Sequence, residues 1–239
     1  LDAEYLRHEL RVDTKAFTAD VILHLETGPQ YRFGEVSFDD AELERELLIR
    51  YSAISPGQVY SNASLLDFQR ALEASGYYER VDVVPLRDQA KNHVVPIHVT
   101  LTPRLKHLYS AGIGFGTDTG VRGQLGWENR RVNQYGHRMN AGIRASDILQ
   151  AVTVHYTIPL TNPRSDRLEF TAGLVEEQSD TVDSSVQKVG VSRSKERERW
   201  RDTLSLFHHR EKFELGLTEV TTSLLMPGLS IGYVQADNR

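Results

Sequence analysis

The sequence predicts a small α+β module followed by antiparallel strands of the transmembrane β-barrel class. Apolar residues recur at helical spacing between residues 39 and 76, and after residue 105 they alternate with polar residues in about eight segments. No apolar stretch approaches the roughly 18 residues that a membrane-spanning helix needs. The mean hydropathy of −0.42 is compatible with a barrel, because strands with one apolar and one polar face average out as hydrophilic.

Composition narrows the classes of function. The 239 residues carry 28 Lys and Arg against 33 Asp and Glu, a formal net charge of −5. This balance disfavours a dedicated nucleic-acid binder, which needs clustered cations to neutralise phosphates. Cysteine is absent, so thiolate metal ligands, disulfides and thiol nucleophiles are excluded. We expect the chain to be a piece of a longer protein, because it begins at Leu1 without a leader-like segment and ends in a polar, turn-like segment.

The pattern of residues 1–28 predicts a hairpin that belongs to a domain preceding the small module. Alternation over residues 17–26 indicates a half-buried strand, and residues 6–12 indicate an earlier one. An isolated hairpin is marginally stable in water, so we expect the core that supports it to lie upstream of Leu1.

Residues 29–104 are predicted to form a compact module of order β-α-α-β-β. Such an order is typical of a two-layer fold, with both helices on one face of a three-stranded sheet. Turn residues and helix-capping residues separate the elements at the expected places. The predicted elements are a strand over residues 31–38, a helix capped by Asp39 or Asp40, a second helix capped by Ser61 or Asn62 and ended by Gly76, and strands near 81–85 and 93–101.

The alternating runs after Leu105 fit either a barrel or a β-sandwich. Six runs alternate clearly, and two more, near 185–194 and 199–214, alternate poorly. A sandwich also alternates, because one face of each sheet meets the core and the other meets water. The barrel is favoured by three details. Arg, Glu and His stand beside Gly on the polar faces, the turns differ in length, and an α+β module precedes the first strand.

Motifs of enzymes and metal sites are sparse. Gly112, Gly114 and Gly116 have the spacing of a phosphate-binding loop, but strand pattern continues on both sides instead of opening a helix. His208 and His209 are adjacent in a predicted strand, so they point to opposite faces and cannot chelate one metal together. We therefore predict no catalytic, cofactor-binding or metal-binding residues, and a protein that is not an enzyme.

Four segments resemble the TamA family, the outer-membrane subunits of the translocation and assembly module. This family belongs to a superfamily with BamA and the two-partner secretion transporters, in which periplasmic POTRA domains precede a sixteen-stranded barrel. The resemblance follows the order of essentially the whole chain. The segments are residues 28–40, similar to the start of the last POTRA domain; 74–78 with 81–83, similar to its helix-to-strand junction; 111–120, similar to the glycine-rich first barrel strand; and 133–137, similar to the turn after barrel strand two.

The resemblance implies a division of the chain into three parts. Residues 1–28 would be the C-terminal hairpin of the penultimate POTRA domain, and 29–104 the last POTRA domain. Residues 105–239 would be the N-terminal half of the barrel, about the first eight of sixteen strands. The family also implies residence in the cell outer membrane with the POTRA domains in the periplasm. Its implied partners are an inner-membrane-anchored TamB-like protein, unfolded outer-membrane protein or autotransporter clients, and outer-membrane lipid.

The resemblance further implies that the seam between the first and last barrel strands can open laterally. Residues 105–115 are then the candidate gate strand, since glycine weakens a strand interior. The alternative is that these glycines only make room for side chains or a loop inside the barrel. Candidate gate residues are Tyr109, Gly112, Gly114, Phe115 and Gly116.

Three aromatic residues, Trp127, Tyr156 and Tyr233, are candidates for an interfacial belt. Ordinary packing between strands is the alternative for them. For the whole protein, the alternatives to a TamA-like insertion factor are a BamA-like assembly factor, a two-partner secretion pore, or a soluble periplasmic binding module with a β-sandwich.

Overall fold

A computed structural model describes residues 4–13, 15, 17–117, 120–178, 183–215 and 218–235. Neither helix in this part of the chain is long and apolar enough to cross a membrane. The elements are β1 (Glu4–Asp13), β2 (Thr18–Glu26), β3 (Arg32–Asp39), α1 (Arg45–Arg50), α2 (Asn62–Ala74), β4 (Tyr78–Pro85), β5 (Val94–Pro103), β6 (His107–Gly116), β7 (Gly120–Asn129), β8 (Arg138–Ser146), β9 (Leu149–Pro159), β10 (Asp166–Gln178), β11 (Asp183–Arg197), β12 (Trp200–Leu215) and β13 (Thr218–Tyr233).

The strands form three separate sheets. β1 and β2 form an antiparallel hairpin, and its assignment to a preceding POTRA domain stays a prediction. β3, β5 and β4 form the second sheet in that order, with β3 parallel to β5 and β4 antiparallel to β5. The third sheet contains β6 to β13, each antiparallel to its neighbour in chain order. The predicted β-α-α-β-β order of the small module is confirmed.

The small module has a hydrophobic core of its own. Leu65, Phe68 and Leu72 lie at helical spacing on α2 and are buried, as the apolar period predicts. They pack in one cluster with the inward side chains of the three-stranded sheet and of α1. Every fully buried member of that cluster lies between Phe33 and Leu101, so the module can fold around its own interior.

The ends of α2 follow the prediction, whereas the start of α1 does not. The Ser61 side chain caps α2 by accepting a hydrogen bond from the Ser64 amide at 3.4 Å, and Gly76 follows the helix with φ of +76°. Asp39 instead ends β3, and Asp40 takes a left-handed turn with φ of +55°.

The first helix begins at Arg45, and the expected cap by Asp39 or Asp40 is wrong. Glu44 occupies the N-cap position, and its side chain makes no capping hydrogen bond. The physical reason lies outside the module. Both the backbone amide and the carboxylate of Glu44 are bonded to Gln134, in a turn of the large sheet.

The eight-stranded sheet confirms the predicted number of strands and excludes the sandwich. All eight strands follow one another in a single sheet, rather than in two sheets that pack face to face. The poorly alternating runs are β11 and β12. In β12, Phe207 lies on the otherwise polar side, with the Lys188 ammonium 4.3 Å from its ring centroid, and His208 lies on the otherwise apolar side. In β11, Gln187 and Arg193 lie on the otherwise apolar side.

One face of this sheet is apolar across its width, and we call it the apolar face. Residues paired across neighbouring strands share a face, so the register defines it. Its side chains are largely exposed, 87% for Ile113 and 71% for Leu229. The opposite face, the polar face, carries Gln124, Arg144 and Thr157. The apolar face comprises Tyr109, Ala111, Ile113, Phe115, Val121, Leu125, Trp127, Met139, Ala141, Ile143, Val152, Val154, Tyr156, Ile158, Leu168, Phe170, Ala172, Leu174, Val189, Val191, Trp200, Leu204, Leu206, Leu225, Leu229, Ile231 and Tyr233.

Candidate functional site

The candidate gate strand, β6, lies at an edge of the eight-stranded sheet. It pairs with β7 on one side, and the described residues supply no strand on its other side. Tyr109 and Phe115 project from the apolar face and are about three-quarters exposed, 74% and 73%. An edge strand presents a row of unpaired backbone N–H and C=O groups, which can pair with another extended chain.

The glycines of β6 sit opposite large polar side chains of β7. A Cβ atom at Gly112 would lie 2.8 Å from the side-chain nitrogen Nε2 of Gln124, and one at Gly114 would lie 3.3 Å from Cγ of Arg122. These two glycines therefore give room to side chains on the polar face, as the alternative interpretation expects. Gly116 ends the strand opposite Gly120. A gate role for these residues stays a prediction.

Trp127 and Tyr156 each contact a histidine near the end of the sheet that adjoins the small module. The Trp127 ring stacks on His107 with centroids 5.9 Å apart, and its indole N–H donates to Nδ1 of His107 at 3.2 Å. The Tyr156 hydroxyl lies 2.7 Å from Nδ1 of His137. Burial lowers the pKa of His137 below its usual value.

Tyr233 completes the set of predicted aromatics at the same end of the sheet. Its ring lies 4.8 Å from that of Trp200, and both rings project from the apolar face. Aromatic rings with one apolar and one polar end suit the level of lipid headgroups. An interfacial role for Trp127, Tyr156 and Tyr233 stays a prediction.

The structure reveals a junction between the small module and two turns of the large sheet, which the sequence did not predict. Residues 130–137 join β7 to β8, and residues 160–165 join β9 to β10. At the centre of the junction, the buried hydroxyl of Tyr77 donates to the backbone oxygen of Gly136 at 2.5 Å. Gly136 has φ of +74°, a conformation that favours glycine.

Arg138 reinforces this central contact. Its guanidinium donates to the backbone oxygen of Ser75, just after α2, and lies 4.2 Å from the ring centroid of Tyr77. Such a cation–π arrangement adds to the hydrogen bond. The first residue of β8 is thereby fixed to the end of α2.

Polar contacts flank the centre on both sides. Gln134 accepts from the amide of Glu44 at 2.9 Å and donates to its carboxylate at 2.7 Å, and Arg131 pairs with Glu42. On the other side, the guanidinium of Arg164 donates two hydrogen bonds to Asp67, at 2.7 and 3.0 Å. These contacts join residues far apart in the chain, and local sequence patterns carry no signal for them.

The ion pair between Asp67 and Arg164 predicts a pH-dependent junction. Hydrogen bonds from Arg164 hold the pKa of Asp67 below its usual value, against an opposing effect of burial. Because the pKa is lowered in the docked state, the stabilisation is present above the usual carboxylate range and is lost as the pH falls through the lowered pKa. Both side chains are more than a third exposed, so we expect at most about 1 kcal/mol.

The measurement is the distance distribution between spin labels on the module and on the sheet, at pH 7 and pH 3. The wild-type distribution should broaden at low pH, and Asp67→Asn should broaden it already at pH 7 and reduce the pH response. Asp82→Asn is the control, because Asp82 pairs with Arg80 within β4. An unchanged pH response in Asp67→Asn would contradict the assignment.

Among the described residues, no three or more His, Asp or Glu side chains are grouped so that they could hold a metal ion. His208 and His209 lie on opposite faces of β12, where His208 contacts Ser223 and His209 contacts Glu211.

The structure places a module of order β-α-α-β-β directly before an eight-stranded antiparallel sheet with one apolar face. Residues 31–104 match the family described as "POTRA: Surface antigen variable number repeat". The small module is therefore a POTRA domain, and its sheet, helices and core are the elements described above.

The whole chain is similar in fold to solved structures of two proteins. BamA from Haemophilus ducreyi, solved without POTRA domains 1–3, matches 100% of this chain and 50% of its own, with a TM-score of 0.79 and 12% identity. CdiB from Acinetobacter baumannii matches 90% of this chain and 45% of its own, with a TM-score of 0.58 and 15% identity. CdiB from Escherichia coli matches 96% and 46%, with a TM-score of 0.58 and 12% identity.

These TM-scores show a shared fold. The eight-stranded sheet has the fold of part of the BamA barrel, and the chain spans about half the length of the solved chains it matches.

Proposed function

We propose that this chain belongs to an outer-membrane protein that inserts or translocates other outer-membrane proteins, as the resemblance to the TamA family implies. Its sheet would complete a barrel in the outer membrane with further strands, and its POTRA domain would stand in the periplasm. Clients would be unfolded outer-membrane proteins and autotransporters, and the partner would be a TamB-like protein anchored in the inner membrane. The protein would not be an enzyme.

One observation carries this proposal. Only three residues separate the end of β5 of the POTRA domain from the start of β6, and β6 is an edge strand of a sheet with one apolar face. Bilayer hydrocarbon offers no hydrogen bonds, so a strand edge there must be paired with another strand. A seam at β6 that opens would offer its edge to an incoming strand, which could add to the sheet by backbone pairing.

A BamA-like assembly factor is the second candidate. It is supported by the TM-score of 0.79 to BamA over the full length of this chain. A two-partner secretion pore is the third possibility from the same superfamily. The number of POTRA domains that precede Leu1 and the sequence that follows Arg239 would distinguish these candidates.

Locking the seam should abolish client insertion. The 239 residues contain no cysteine. Once any cysteine elsewhere in the full protein is replaced by serine, a cysteine at Ala111 and one at its neighbour in the last strand can form a selective cross-link. We expect the oxidised protein in liposomes to lose insertion of a client barrel, and a reductant to restore it.

The matched control joins two strands inside the sheet. Leu125 of β7 and Ile143 of β8 are direct partners in the register, so a cysteine pair there adds a cross-link without closing the edge. Equal insertion by the oxidised Ala111 variant and by this control would refute the gate role of β6.

A further inference from the structure

A cavity of about 430 Å³ lies between the POTRA domain and the sheet. Its volume falls in the range of about 300–1,000 Å³ that is usual for ligand pockets. Side chains from α2 form one wall, and residues at the adjoining ends of β8, β9 and β10 form the other. The cavity thus lies beside the junction, and a ligand in it would touch both parts of the protein.

Positive charge dominates the cavity. Four arginines line it, Arg70 from α2 and Arg138, Arg164 and Arg167 from the sheet and its turn, and no described carboxylate is part of the lining. Arg164 is bound to Asp67, which lies outside the lining, and Arg138 is bound to the backbone of Ser75.

Two of these arginines, Arg70 and Arg167, are exposed and make no hydrogen bond or ion pair with another residue in the part of the chain that the structure describes. The charge of Arg70 acts on Asp67 at a distance and helps to lower the pKa of that carboxyl. Like charges around one space repel each other, and an anion placed there would relieve that repulsion. Their planar donor geometry suits a carboxylate, which can accept two parallel hydrogen bonds.

The location of the cavity indicates whether a polypeptide or a lipid would supply the anion. In the strand register Arg138 lies opposite Thr157, and Arg167 lies opposite Pro159. Both arginines are therefore on the polar face of the sheet. Lipid chains would cover the apolar face, on the opposite side. A polypeptide that enters along the polar face can therefore reach the arginines, whereas a lipid headgroup would have to leave its own side of the sheet.

The remaining wall is uncharged. Tyr51 and Tyr77 form its base and are themselves buried, and the Arg138 guanidinium lies over the Tyr77 ring. Burial raises the pKa of Tyr51 far above its usual value, so its hydroxyl stays neutral. Pro159, at the end of β9, and Pro163, in the turn that follows, are partly exposed and can contact apolar side chains next to the carboxylates of the same ligand.

We infer that this cavity binds an acidic segment of a client polypeptide, with carboxylates on Arg70 and Arg167 and apolar side chains against the two prolines. The inference deepens the proposed function and rests on it for the identity of the client. It assigns to the junction a second contact with the client, separate from strand pairing at β6.

Binding of a defined peptide tests the inference on the full-length protein in detergent. The probe is a fluorescein-labelled octapeptide of alternating glutamate and leucine, and its matched analogue carries glutamine in place of glutamate. We expect binding of the acidic probe to weaken roughly tenfold or more in the double variant Arg70→Gln/Arg167→Gln, since hydrogen bonds between charged groups are lost. We expect the glutamine analogue to bind weakly to the wild type.

The control variant is Arg87→Gln, an exposed arginine of the POTRA domain outside the cavity. It should bind the acidic probe as the wild type does. Heat-modifiable gel mobility of the double variant establishes that its barrel has folded, and retention of the Asp67–Arg164 pair keeps the junction in place.

Three results would overturn the inference. One is equal affinity of the wild type and the double variant for the acidic probe. Another is competition by inorganic phosphate at equal molar concentration, which would indicate a simple anion site. The third is arginine-dependent binding of short-chain phosphatidylglycerol without binding of the peptide, which would indicate a lipid site. Client insertion measured with the β6 cross-link does not depend on any of these three results. Failure of the inference about the cavity can therefore be distinguished from failure of the proposed function.

Discussion

Replacing Leu72 by alanine is expected to destabilise the POTRA domain by about 2–5 kcal/mol, because the substitution removes buried methyl groups and leaves a cavity. Leu72 is fully buried on α2 and belongs to the cluster that joins the helix to the three-stranded sheet. A loss of this size is a large fraction of the roughly 5–15 kcal/mol that stabilises a typical domain. Urea unfolding of residues 29–104, followed by circular dichroism at 222 nm, measures it.

The same substitution at Leu66 provides the control. Leu66 lies on the same helix but is 51% exposed. Alanine replaces leucine in both variants, so the change in helix propensity is the same and the difference between them isolates burial. We expect Leu66→Ala to remain within about 0.5 kcal/mol of the wild type. Equal losses in the two variants would mean that α2 does not bury the face described here.

Local patterns were sufficient to predict most elements of the fold. The spacing of Leu65, Phe68 and Leu72 and the residues Ser61 and Gly76 define α2, because a helix depends on neighbours three or four positions apart. Alternation likewise predicted the strands of the large sheet. It weakened in β12, where Phe207 lies on the polar face against the Lys188 ammonium of the neighbouring strand, and in β11, where Arg193 lies on the apolar face.

The junction could not be predicted in this way. Tyr77 and Gly136 are 59 positions apart, and Asp67 and Arg164 are 97 apart. No periodicity links a helix to the particular turn against which it packs. The incorrect prediction of the α1 cap has the same origin, because Glu44 takes the N-cap position while it binds Gln134. The cavity with its four arginines also became visible only after these distant segments were placed together.

Replacing Gly136 by alanine should separate the POTRA domain from the sheet. A non-glycine residue in the left-handed conformation costs about 1–2 kcal/mol, and the φ of Gly136 is +74°. A Cβ atom there would also lie 2.6 Å from Leu47 and 2.8 Å from the Tyr77 hydroxyl, within the packed junction. Overpacking of this kind adds about 1–3 kcal/mol.

Hydrogen exchange at the Glu44 amide reports the separation directly. That amide donates to the backbone oxygen of Gln134 across the junction at 2.9 Å. Because about 1.4 kcal/mol corresponds to a tenfold change in an equilibrium constant, we expect its exchange to accelerate at least about tenfold in Gly136→Ala. Amides in α2 should keep their protection, which distinguishes undocking from unfolding of the domain.

Gly57→Ala separates the steric effect from the conformational one. Gly57 has φ of +84°, but a Cβ atom there would meet no atom within 4 Å. Gly57→Ala therefore has the free-energy cost of the left-handed conformation without the steric cost. Gly57 also lies outside the junction. Exchange at Glu44 should remain at the wild-type rate in Gly57→Ala. If both variants left that rate unchanged, the close contact of Gly136 with Leu47 and Tyr77 would not hold the two parts of the protein together.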